Sequence, residues 1–154
     1  MRKLVEETLR LLDPEIKYSE EAVELVLGTF AQESAYGKYR KQLGNGPALG
    51  IGQMEPATFN DCVTNYLNFR HELKRIVLEV SGVSAFSVND LYLNDRLSIC
   101  MCRVAYLRCK GAIPNTIEGY AKYWKIGYNT ILGKGTEQEF IHNYKFYVEK
   151  EVSA

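Results

Sequence analysis

The chain has 154 residues, enough for one domain with a proper core, and its Lys+Arg and Asp+Glu counts balance at 19 each. Zero formal charge removes the bulk attraction that draws proteins to nucleic acid or anionic membrane, and no basic recognition helix supports a helix-turn-helix reading. No apolar run is long enough to span a bilayer, and the basic start Met1-Arg2-Lys3 meets Glu6, Glu7, Arg10 and Asp13 at once, unlike a secretory signal, so synthesis in the cytoplasm is expected.

Leu4, Val5, Leu9 and Leu12 make an apolar stripe at helical spacing, stopped by Asp13-Pro14. Ser19 is a good N-cap, and Glu20 and Glu21 suit the positive end of a second helix. That helix carries Val23, Val26, Leu27, Phe30 and Ala31 and runs to about Ser34. Residues 35–52 lose the helical period and are punctuated by Gly37, Gly44, Gly46, Gly50 and Gly52, which marks a long and therefore functional or disordered loop. Alternation around Ala48–Met54 allows a short strand or hairpin.

Pro56 fits the first turn of the next helix, with Phe59, Val63 and Tyr66 on its inner face. Leu73, Ile76, Val77 and Val80 mark another helix, closed near Gly82. The span Leu91–Cys109 is apolar on more than one face, including Leu93, and is expected to be the buried centre of a bundle. Asn115 with Glu118, and Thr136 with Glu139, have capping-box spacing ahead of the last two helices. Ile117, Tyr120, Ala121 and Trp124 line one of these; Phe140, Tyr144, Tyr147 and Val148 line the other. The expected architecture is one all-α domain over residues 1–154 with a small irregular or β excursion near 35–54.

Cys62, Cys100, Cys102 and Cys109 form no C-x-x-C pair, and His71 and His142 lie near none of them at zinc-type spacing. They read as reduced thiols acting as small hydrophobes, and neither metal nor organic cofactor is expected.

Glu33 is the residue with the most chemical content. Val26, Phe30 and Glu33 fall at i, i+4 and i+7, so the carboxyl continues an apolar stripe instead of pointing to solvent with Glu20, Glu21 and Glu24. Apolar neighbours strip hydration from the charged form and raise the pKa, as a general acid requires. The competing reading is a helix-end glutamate paired with Lys38 or Arg40.

Glu33-Ser34, the glycine-containing gap, and Gly50-x-x-Gln53-Met54-x-Pro56-Ala57-Thr58 resemble the soluble lytic transglycosylase domain, a relative of goose-type lysozyme, across residues 19–148. That family carries a Glu-Ser pair, then a Gly-Leu-Met-Gln-Ile-x-Pro-x-Thr type motif, then an Ala-Tyr-Asn motif. The resemblance implies a lysozyme-like helical bundle that cleaves the β-1,4 bond between N-acetylmuramic acid and N-acetylglucosamine. One glutamate protonates the glycosidic oxygen and then deprotonates the sugar's own C6 hydroxyl. A 1,6-anhydro product forms without water, unlike the two-carboxylate glycosidases.

By position, Glu33 takes the acid/base role, Ser34 the site contacting the muramyl group, and Gln53 with Met54 the cleft-lining motif. Gly50 and Gly52 would let backbone approach the substrate. Gly52 stands where the family has Met, and Glu55 where a nonpolar residue is common. Glu55 is either a second carboxylate near the site, which reopens hydrolysis through water, or a charge favoured by a helix start. The tyrosine motif has two registers: Gly127-Tyr128-Asn129 matches in letters, while Tyr123 matches in helical placement, with Trp124 in place of Asn. Either phenol could orient Glu33. The resemblance implies peptidoglycan glycan strands as partner and a monomeric chain. The absence of a signal or wall-binding repeat resembles phage lysis proteins, released through a holin or carried in a virion. A lysozyme-like hydrolase and a non-catalytic wall- or virion-associated binding protein are the alternatives.

Overall fold

A buried helix organises the chain in the computed structural model, which describes residues 1–130 and 132–153. This helix, α2 (Glu20–Ser34), has ten of its 15 residues buried. Ser19 caps it by accepting from the Ala22 amide at 3.1 Å. Its neighbours are α1 (Arg2–Leu12), α5 (Asp95–Leu107), α6 (Ile117–Trp124) and α7 (Glu137–Asn143). Between them lie α3 (Pro56–Asn65) and α4 (His71–Ser81), with 3-10 turns at Leu67–Phe69 and Val88–Tyr92. Helices α6 and α7 do not stop cleanly. α6 runs into a π-helical turn, Lys125–Asn129, and α7 into another, Tyr144–Glu149, before α8 (Lys150–Ser153). The fold is all-α, and the buried hydrophobic side chains described, Ala48 apart, form one cluster. Among the described residues no helix is long and apolar enough to cross a membrane.

Most termini follow from side chains that the sequence displays. Asp13 is extended, as a residue before proline must be, and ends α1. Gly82 closes α4 at a φ of 72°. Thr136 accepts from the Glu139 amide at 3.1 Å. The excursion at 35–54 holds two isolated antiparallel bridges, Lys41 with Leu49 and Leu49 with Met54, and no continuous strand.

Two boundaries differ from the sequence reading. The apolar run from Leu91 does not make one helix. Leu91 is buried on a 3-10 turn, Leu93 is 73% exposed, and α5 begins only after Asn94, which caps it by accepting from Leu97 N at 3.0 Å. A good cap overrode the hydrophobic run. For α6 the cap is Thr116, accepting from Gly119 N at 3.0 Å, and not Asn115. All four cysteines are free; Cys62, Cys100 and Cys102 are buried.

The 35–54 segment is tied down from its start. Ala35 and Tyr36 take left-handed conformations directly after α2 and turn the chain back across the helix end. Arg40 then forks onto Asp95 at the start of α5 and reaches the Tyr92 carbonyl at 3.3 Å. The loop therefore has a fixed place beside the C-terminal end of α2.

Candidate active site

Glu33 occupies the last turn of α2 and lines a cleft of about 950 Å³ between the 35–54 segment, the start of α3, and residues 127–130 and 133–135. Phe30 and Val26, one and two turns back on the same face, are fully buried. Glu33 itself is partly exposed, with its open side on the cleft. Burial dominates its electrostatics and lifts the carboxyl from the ordinary 4.5 to about 7. The opposing influence is a hydrogen bond: Trp124 Nε1 donates to Glu33 Oε1 at 3.0 Å.

Among the described residues no cation offsets this burial. Lys38 lies over the Tyr39 ring, and Arg40 is committed to Asp95. The ion-pair reading of Glu33 is therefore replaced by a desolvated carboxyl held by an indole.

The indole also distinguishes the two oxygens. An N–H aimed at Oε1 disfavours a proton there, and no donor among the described residues approaches Oε2. When the carboxyl is protonated, Oε2 is therefore the favoured site for its proton. Trp124 is fixed in turn by Phe140, whose ring packs on it at 5.4 Å between centroids. The sequence reading places this tryptophan on a helix stripe and in one tyrosine register but gives it no role toward Glu33. The available signal was that a sole Trp ends the stripe Ile117, Tyr120, Ala121, Trp124, and a buried indole N–H needs an acceptor.

No protein-family model, curated protein or solved structure matches this chain significantly.

Ser34 does not face the cleft. It is fully buried, and its hydroxyl contacts Ile51 O at 2.7 Å and Phe30 O at 3.1 Å while accepting from Gly37 N at 2.9 Å. It pins the loop to the end of α2, so a ligand-contact role is corrected to a positioning one. Gly50 is likewise buried away from the cleft. At φ 79°, a Cβ there would meet Leu91 O at 2.2 Å, so the glycine serves a close approach of loop to protein backbone rather than to ligand.

Gln53 and Met54 do line the cleft. Gln53 adopts a φ of 47° and its amide donates to Gly50 O at 3.0 Å and Tyr39 O at 3.2 Å. Met54 pairs through its backbone with Leu49 at 3.1 and 3.2 Å. Gly52 has a local reason: its Cβ would lie 2.9 Å from Tyr128 Oη and 3.3 Å from the Phe30 ring. Those two aromatics fill the space a larger side chain would take.

The tyrosine registers separate. Tyr123 turns away, donating to Gly111 O at 3.0 Å and packing on Tyr106, so it is no cleft residue. Tyr128 and Asn129 both line the cleft. Neither tyrosine bonds Glu33, because Tyr128 donates its proton to Gly52 O at 2.6 Å. Burial above all, with the Glu33 carboxyl nearby, holds that phenol neutral. Asn129 Oδ1 accepts from Lys125 Nζ at 2.7 Å. The same ammonium donates to Gly133 O and Gly135 O at 2.8 and 2.7 Å and so clamps the far rim. Glu55 and Glu139 lie on the cleft wall, both exposed.

Proposed function

We propose that this protein is a peptidoglycan lytic transglycosylase of lysozyme-like helical architecture, with Glu33 as its one acid and base. The observation carrying this is the desolvated Glu33 carboxyl, raised to about 7, opening onto a cleft at the upper end of ordinary ligand-site volumes. Near neutral pH such a group is present in both protonation states, which suits a residue that gives a proton and takes one back. The amides of Gln32, Gln42, Gln53 and Asn129 and the phenol of Tyr39 line the cleft and offer partners for hydroxyls and N-acetyl groups.

Glu33 Oε2 donates its proton to the glycosidic oxygen as the C1–O bond breaks. The carboxylate so formed faces the positive charge growing on the muramyl C1. It then takes the proton from that sugar's C6 hydroxyl while O6 bonds to C1. The products are a free 4-hydroxyl, a 1,6-anhydro muramyl end, and Glu33 protonated as at the start. Trp124 keeps the acid's orientation through the cycle.

The exposed Glu55 and Glu139 in the lining of the same cleft favour one second reading, a hydrolase in which one of them activates water. Mass spectrometry of muropeptides released from purified sacculi separates the two. Anhydro ends support transglycosylation, and new reducing ends support hydrolysis. Release undiminished in Glu33→Gln would remove Glu33 from either mechanism.

A further inference from the structure

A second pocket, of about 400 Å³, lies between the start of α2, the C-terminal half of α5 and the loop into α6, and shares no lining residue with the Glu33 cleft. Its charged lining is Lys17, Glu21 and Arg103; Tyr18, Tyr106 and Tyr123 supply aromatic wall. Arg103 is half-buried. The chain's other partly buried arginines show how such a group is normally treated: Arg2 forks onto Glu24, Arg40 onto Asp95, and Arg96 lies 3.8 Å from Glu7. Arg103 has neither a hydrogen bond nor an ion pair among the described residues, and burial presses its pKa downward with no carboxylate to oppose it. A guanidinium partly stripped of water and left without an anion is an unfavourable arrangement unless something supplies the anion.

We propose that this pocket is a binding site for a small monocarboxylate with an apolar or aromatic body, its carboxylate forked on Arg103 and its body against the tyrosine walls. The planar guanidinium fork matches a carboxylate bidentately. Charge count decides for one negative charge. Arg103 and Lys17 are opposed by Glu21 in the same lining, leaving a net charge of about +1, which a dianion such as phosphate would overfill. Tyr123 is held in place by its bond to Gly111 O, and Tyr106 by the Thr29 hydroxyl at 2.7 Å, so the aromatic wall is pre-formed.

The test uses the full chain and 3-phenylpropionate, with inorganic phosphate and neutral 3-phenylpropanol as comparison probes at matched ionic strength. Titration followed by the Nε–H resonances of labelled arginines is expected to show saturable movement of the Arg103 signal with 3-phenylpropionate, and at least tenfold weaker binding of either comparison probe. Arg103→Gln is expected to weaken 3-phenylpropionate at least tenfold in calorimetry, and Glu21→Gln to tighten it. Glu33→Gln leaves it unchanged, since the cleft is separate. The wild-type resonance carries the result even where Arg103→Gln folds poorly. An Arg103 signal that does not move, or moves equally with phosphate, overturns the proposal.

Discussion

The Trp124 indole donates to Glu33 Oε1 across 3.0 Å, joining the last turn of α6 to the last turn of α2. The bond and the burial act on the carboxyl in opposite senses. Burial wins, because a neutral N–H recovers only part of the hydration a carboxylate loses.

The first prediction concerns pH. Glu33 has a folded pKa above its unfolded one, so protons bind the native state more tightly. Below 4.5 both states are protonated and no penalty exists. The penalty grows as pH rises from 4.5 to about 7, where only the unfolded chain has released its proton, and is full above that. A rise of this size corresponds to about 3 kcal/mol, and to about 2 kcal/mol once solvent at the open side is allowed for. Glu33→Gln is therefore expected to be more stable than wild type by about 2 kcal/mol at pH 8 and nearly equal to it at pH 4, as read by urea unfolding. The same variant should have no wall-cleaving activity. Stability gained together with activity lost is the pattern of a strained functional group.

Removing the indole donor alone should move activity rather than fold. Trp124→Phe keeps a ring against Phe140 and deletes the N–H. Because that bond lowers the Glu33 pKa, its loss shifts the alkaline limb of the activity profile upward. Loss of a bond worth about 1–1.5 kcal/mol in the oriented acid predicts a fall in kcat of about tenfold at pH 6. An unmoved alkaline limb in a folded variant would contradict the assignment of Trp124.

The helices were legible because their faces and caps are local. Val26, Phe30 and Glu33 share a face in the structure as their spacing requires, and Ser19 and Thr136 cap as expected. Asn94 and Thr116 were less legible, since each competes with an apolar run or a neighbouring cap candidate one residue away. What a periodicity cannot show is which side chain from a distant helix meets Glu33. Trp124 and Tyr128 are four residues apart, and the π-helical turn after α6 alters the facing of the second relative to the first. Ser34 and Gly50 sit in the expected motif but are buried, because the turn at Ala35 and Tyr36 folds the loop against them.

Gly28 should resist the substitution that helix propensity favours. Alanine in mid-helix normally gains about 1 kcal/mol over glycine. At Gly28 the added Cβ would lie 2.4 Å from Phe140 Cζ and 3.1 Å from Tyr144 Cδ2, in the contact between α2 and α7. Overpacking costs about 1–3 kcal/mol, and an approach of 2.4 Å to a buried ring falls in the upper part of that range, about 2–3 kcal/mol, so the balance for Gly28→Ala is a net loss of about 1–2 kcal/mol. Differential scanning calorimetry should show a lower Tm by roughly 2–8 °C. Since Phe140 also braces Trp124, activity should fall in the folded fraction as well.

Tyr128→Phe separates two ways in which a tyrosine could serve the cleft. A phenol that oriented Glu33 would, when removed, move the pH profile as Trp124→Phe does. Here the hydroxyl donates to Gly52 O at 2.6 Å, and Gly52 is buried. Deleting it leaves a buried carbonyl without that donor, at about 1–2 kcal/mol of stability. The expected variant is less stable, binds glycan strands more weakly because the wall carrying Gln53 loosens, and keeps the alkaline limb of wild type. Chemical denaturation and a pH–rate profile on the same preparation check both halves. A shifted limb at full stability would return the phenol to the acid and remove it from the wall.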